Sequence, residues 1–172
     1  STFTDKDLAI VDTRQALRTG GVEGGWNVQR RLREMDAEGI AAEIVHPAHQ
    51  GASMPFFGQV NKPYPADYRM AGARAHHRWL AHCITQANGR IHGVGDPGPC
   101  LNMDETVDEL RWIAENGFVS VAVPGNIADD ALPPLYDRYY DPFWKACVEH
   151  SLVLSVHAGW GAKQGAFFDF AK

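Results

Sequence analysis

The sequence predicts an α/β fold in which helices cover a parallel sheet. Two observations carry this reading. Helix and strand patterns alternate four times from residue 27 onward, and the strand candidates are nearly continuous apolar runs, as strands buried on both faces are. Open doubly wound sheets and closed barrels share this pattern. No GxGxxG follows any strand, so a dinucleotide site has no support. Four βα units also fall short of a complete eight-unit barrel, which takes about 250 residues.

The elements follow in order. Residues 1–26, with Gly20, Gly21, Gly24 and Gly25, read as an irregular arm with a short helix near Thr13 to Leu17, ahead of an α/β domain over 27–172. Val28, Leu32 and Met35 fall at i, i+4, i+7 on one face of a helix that Asn27 starts and Gly39 stops. Ala42 to Val45 is a short strand closed by His46-Pro47. Residues 48–66, with Pro55, Pro63 and Pro65, form a connection long enough to suggest a functional flap carrying Phe56 and Phe57. Met70, Ala73, His77, Leu80 and Ile84 keep helical spacing until Asn88-Gly89.

Ile91 to Val94 is the second strand, turning at Gly95-Asp96-Pro97-Gly98. A helix over Met103 to Glu115 buries Val107, Leu110 and Ile113 and stops at Asn116-Gly117. Phe118 to Val123 is the third strand. Asp141-Pro142 reads as an N-cap followed by proline at the first position of a helix carrying Phe143, Ala146 and Cys147. Leu152 to Val156 is the fourth strand, ending in His157-Ala158-Gly159.

Composition narrows the function. The 172 residues are 45% hydrophobic and 22% charged, with a net charge of -5. That is ordinary globular composition, and with no basic run it argues against nucleic acid as a partner. No apolar stretch nears the roughly 20 residues of a membrane span, and Ser1 to Leu8 lacks a signal-peptide core. Cys83, Cys100 and Cys147 form no CxxC pair, which favours reduced thiols and a cytoplasmic protein.

In parallel α/β folds, functional groups collect where strands end. Those places hold His46 and His49 after the first strand, Asp96 after the second, Asn126 after the third and His157 after the fourth. His46, His49 and Asn126 are the candidate substrate-binding residues. His46 equally fits a strand end bonded to a carbonyl, and Asp96 before Pro97 fits a plain turn former. His76 and His77 are expected to pack mid-helix, and the carboxylates from Asp104 to Glu109 to line a solvated face. His157 differs, because it stands where an apolar strand must stop and small residues follow it. A lone imidazole is still no metal site, and no HxH, HExxH or Cys/His cluster occurs.

The stretch Arg31-Leu32-Arg33-Glu34-Met35-Asp36-Ala37-Glu38-Gly39-Ile40 resembles a helix-then-strand segment of the amidohydrolase-related family, which includes aminocarboxymuconate-semialdehyde decarboxylase and resorcylate decarboxylases. Gly89-Arg90-Ile91-His92-Gly93, Asp108-Glu109-Leu110, Gly117-Phe118, Tyr140-Asp141-Pro142-Phe143-Trp144 and His157-Ala158-Gly159 continue it in the family's order over residues 27–161. The resemblance implies barrel strands two to five of a TIM-like (β/α)₈ barrel with one divalent metal, usually zinc, at its C-terminal face. It implies that His157 is the metal ligand ending barrel strand five. The family's HxH pair, its later aspartate ligand and its catalytic histidine have no counterpart here, so the catalytic residue is unassigned.

The implied activity is decarboxylation of a small unsaturated or aromatic carboxylic acid, with metal-dependent hydrolysis or hydration as the alternative. The chain is expected to be part of a longer enzyme, since a free half-barrel exposes two sheet edges and invites aggregation. An inert half-barrel scaffold is the competing expectation. The expected macromolecular partner is a second copy or a complementary barrel segment.

Overall fold

The computed structural model describes residues 21–47, 65–124 and 132–156, together with Thr4, Lys6, Ala9 and Ile10. The chain divides into two compact units, residues 1–43 and 44–172. The expected helix near Thr13 to Leu17 and the 48–64 part of the expected flap lie outside the described residues.

In the first unit, Gly21–Gly25 forms a 3-10 helix inside the stretch expected to be irregular. Helix α1 (Val28–Glu38) begins where sequence places it. The Asn27 side chain accepts from the Arg30 N–H at 3.0 Å, satisfying one of the amides a helix start leaves unpaired. Gly39 ends it at φ 71°, a left-handed conformation that glycine adopts without steric cost. The Ile40 N–H then reaches back to the Met35 carbonyl at 2.8 Å. Arg31 pairs bidentately with Glu43, its Nη2 donating to Oε2 at 3.0 Å and its Nε to Oε1.

The sheet has four strands, β1 (Glu43–Val45), β2 (Ile91–Gly95), β3 (Ser120–Ala122) and β4 (Val153–Ser155), in spatial order β1-β2-β3-β4. Chain order equals spatial order, as expected of successive βα units. β2 lies parallel to β3 with Val94 opposite Ser120, and β3 parallel to β4 with Ser120 opposite Val153. β3 is shorter than the apolar run 118–123. The Phe118 N–H is taken by the Ile113 carbonyl at 3.1 Å, so Phe118 closes the preceding helix instead of opening the strand.

Helix α2 (Ala66–Ala87) buries Met70, Ala73, His77 and Leu80 and ends at Asn88 in the left-handed region. Helix α3 (Met103–Glu115) starts on the Asn102 side chain and stops before Gly117. Its buried stripe is Thr106, Glu109, Leu110 and Ile113, rotated from the expected one, and Val107 is only half-buried. Helix α4 (Asp141–Glu149) buries Phe143, Ala146 and Cys147 as expected. Its expected N-cap is corrected. The chain enters through a 3-10 turn, Arg138–Tyr140, which leaves Asp141 already helical at φ -53° and ψ -42°. The N-cap of α4 is Tyr140, with no side-chain bond, and Asp137 caps the 3-10 turn instead, accepting from the Tyr139 N–H at 2.8 Å.

Glycines set how closely β2 meets the helices. A Cβ on Gly93 would stand 2.7 Å from the Phe118 ring, and one on Gly95 would stand 2.4 Å from Ile113 Cδ1. These two residues therefore face the helix layer. Val94, between them, takes the opposite face with its partner Ser120. The edge strands are poorly covered: Ile44 is 62% exposed, Val153 64% and Leu154 44%.

Candidate active site

The C-terminal ends of the strands carry His46 after β1, Asp96 after β2, Val123-Pro124 after β3 and Val156 after β4. Of the residues singled out from sequence, the structure places Asp96 and His46, the latter exposed at its strand end. His49, Asn126 and His157 lie outside the described residues.

Asp96 is the built feature of this end. It is 1% exposed, and two hydrogen bonds fix it from different directions. Its own N–H donates to Nε2 of His77 at 2.8 Å, and its Oδ1 accepts from the Gly98 N–H at 2.8 Å. The second bond is an Asx turn, which suits Asp before Pro97. Gly98 sits at φ 73°, and Cys100 follows at φ 55°. The Tyr139 hydroxyl closes the turn from outside, donating to the Cys100 carbonyl at 2.6 Å. Burial first, then the negative charge of Asp96, pushes the Cys100 thiol up to about 12, so it stays protonated and is no nucleophile.

His77 was expected only to pack. It is 0% exposed and bonded through both ring nitrogens. Because Nε2 accepts from a main-chain N–H, that nitrogen carries no proton. Nδ1 therefore holds the proton and donates it to Glu109 Oε1 at 2.7 Å. The Phe118 ring stands edge-on to the imidazole at 5.5 Å between centroids.

Glu109 corrects a further expectation. It was read as part of a solvated face, yet its side chain is 5% exposed. The rotated stripe of α3 turns it toward α2, where Arg74 Nε donates to Oε2 at 3.3 Å and Arg78 to Oε1. Burial alone would raise its pKa. The hydrogen bonds from His77 and Arg78, with the Arg78 charge, outweigh this and hold it below the ordinary carboxylate value. Arg78 also stacks over Trp112 at 3.7 Å. Burial brings His76 down to about 4, so it is neutral near pH 7.

The donor set present does not make a metal centre: among the described residues, no three His, Cys, Asp or Glu side chains converge on a point that could hold a cation. No described helix is long and apolar enough to cross a membrane.

The family model described as amidohydrolase matches residues 5–171. The chain belongs to the amidohydrolase family. The amidohydrolase fold is seen in solved structures too. A 5-carboxyvanillate decarboxylase from Novosphingobium aromaticivorans DSM 12444, in complex with manganese and 4-hydroxy-3-methoxy-5-nitrobenzoic acid, superposes with a TM-score of 0.61 at 22% identity. The match covers 81% of this chain and 36% of that one, so the chain spans about a third of that protein's length. No curated protein matches it. The four-stranded parallel sheet thus has the architecture of part of a (β/α) barrel, a fold that carries its chemistry at the C-terminal ends of its strands.

Proposed function

We propose that this chain supplies barrel strands two to five of a metal-dependent amidohydrolase that decarboxylates a small unsaturated or aromatic carboxylic acid. The observation that carries the reading is the amidohydrolase match over residues 5–171, joined to a fold shared with a decarboxylase. In the proposed site His157 is the metal ligand given by this segment, and the remaining ligands come from other parts of the protein. Its place in the sequence supports that role, since His157 follows the apolar run 152–156. The cation is zinc or, as in the decarboxylase named above, manganese, and when bound it supplies Lewis acidity and a template for the acid. His46, His49 and Asn126 at the strand ends are assigned to binding and orienting the substrate. The three described cysteines form no disulfide, which supports the proposed cytoplasmic location.

The test uses the intact protein. Metal content is measured by mass spectrometry, and CO₂ release is measured on 5-carboxyvanillate and a panel of hydroxybenzoic acids. The expected result is about one divalent cation per chain and CO₂ release, both lost in His157→Ala. Full metal and activity in His157→Ala would remove the ligand assignment. Ester or amide hydrolysis without CO₂ release would move the enzyme to the hydrolase side of the family. Neither metal nor turnover would leave a scaffold.

A further inference from the structure

The proposed chemistry makes no use of His77, a fully buried histidine one hydrogen bond away from the sheet end where that chemistry is placed. Three features of its surroundings work together. Nε2 serves a main-chain N–H, that of the first residue beyond β2, and a buried amide left without an acceptor costs about 1–3 kcal/mol. Glu109 takes the Nδ1 proton at 2.7 Å and so dictates which nitrogen is bare. Gly95 lets the strand end come close: a Cβ there would stand 3.7 Å from His77 Nε2 and collide with Ile113.

The helix layer therefore grips the last peptide of β2 from behind. What lies beyond that peptide is the Asp96–Cys100 turn, tied within itself by the Asp96–Gly98 bond and from outside by Tyr139. Both ring nitrogens of this buried imidazole are satisfied, and the acceptor nitrogen serves the strand end rather than another side chain.

We propose that His77 is a positioning residue of the reaction: held in its Nδ1–H tautomer by Glu109, it fixes the main chain at Asp96 and sets the Asp96–Cys100 turn on the rim of the active site. This rests on the proposed function, because it needs the chemistry to lie at the C-terminal end of the sheet. His77 touches no substrate in this role. It acts through the backbone of Asp96.

The experiment compares His77→Leu, which fills the space without an acceptor, with His77→Gln, which returns an acceptor oxygen toward Asp96. Both are made in the intact enzyme. The readouts are kcat and KM for the panel acid turned over fastest, folded fraction by circular dichroism at the assay temperature, and hydrogen exchange at the Asp96, Gly98 and Cys100 amides. In His77→Leu, kcat is expected to fall about 10- to 100-fold, the scale of a small misplacement at a reacting centre. KM and folded fraction stay near wild type, and the three amides exchange faster. His77→Gln is expected to restore most of kcat.

Faster exchange with unchanged kcat overturns the positioning role and leaves the proposed function standing. So does a loss that tracks folded fraction, or an equal loss in both variants. A wild type that turns over no acid removes the proposed function and this role with it. Should His77→Leu fail to fold, selective ¹⁵N-histidine labelling of the wild type decides: a protonated Nε2 on His77 overturns the proposal.

Discussion

Replacing Glu109 with leucine puts the paired core of α2 and α3 to a quantitative test. The change strips the Nδ1–H of His77 of its acceptor in a place with no solvent exposure, and an unsatisfied buried donor costs about 1–3 kcal/mol. It also removes the bonds from Arg74 and Arg78. Those side chains are 39% and 44% exposed, so each contributes only about 0.2–1 kcal/mol. The leucine gives back about 1–2 kcal/mol through apolar burial. The net expectation is a loss of about 2 kcal/mol, which at this domain size lowers Tm by about 4–8 °C. Glu109→Gln is the control. It keeps an oxygen facing Nδ1–H and loses only charge, so its loss should be about half as large. Thermal unfolding of the intact protein by circular dichroism measures both. Equal losses in the two variants would refute the reasoning, since the His77 bond would then contribute nothing beyond charge.

Three further outcomes rest on the same packing. Because Glu109 is held below its ordinary pKa of 4.5, its contribution is fully present above that pH and is lost as pH falls through the lower folded value. The Tm gap between wild type and Glu109→Gln should therefore stay constant from neutral pH down to 4.5 and shrink below it. Gly95→Ala should cost about 1–3 kcal/mol in urea unfolding because its Cβ meets Ile113, whereas Gly25→Ala, with nothing within 4 Å, should cost far less. Cys83, Cys100 and Cys147 are buried, and burial lifts the Cys147 thiol to about 11 and Cys100 to about 12. Mapped alkylation at mildly alkaline pH should label none of them until denaturant is added.

What could be read from sequence was whatever neighbouring residues settle among themselves. Asn27, Gly39, Asn88 and Gly117 bound their helices because caps and left-handed stops depend on a few adjacent positions. Asp141 was misjudged because Asp137 stands four residues earlier with the same chemistry, and only the 3-10 entry decides between them. Glu109 could not be recognised at all. Within Asp104 to Glu109 it is one more carboxylate, and its burial is set by residues about 32 positions away on another helix. A weak signal existed in His77, a polar residue on the apolar stripe of α2, since a buried imidazole needs partners. Asp96 was noted as a turn former, which it is. That its own N–H anchors the strand end depends on tertiary contact alone.

The bond between His77 and Asp96 is made to a main-chain amide, and every amino acid except proline carries one. The anchor is thus blind to the identity of residue 96. A changed side chain leaves this one bond in place wherever the new residue fits the buried site. The Asx-turn bond to Gly98 would be lost in most replacements and kept by asparagine or serine. A screen for altered acid preference could start at this position, with proline left out of the library and His77 and Glu109 held constant.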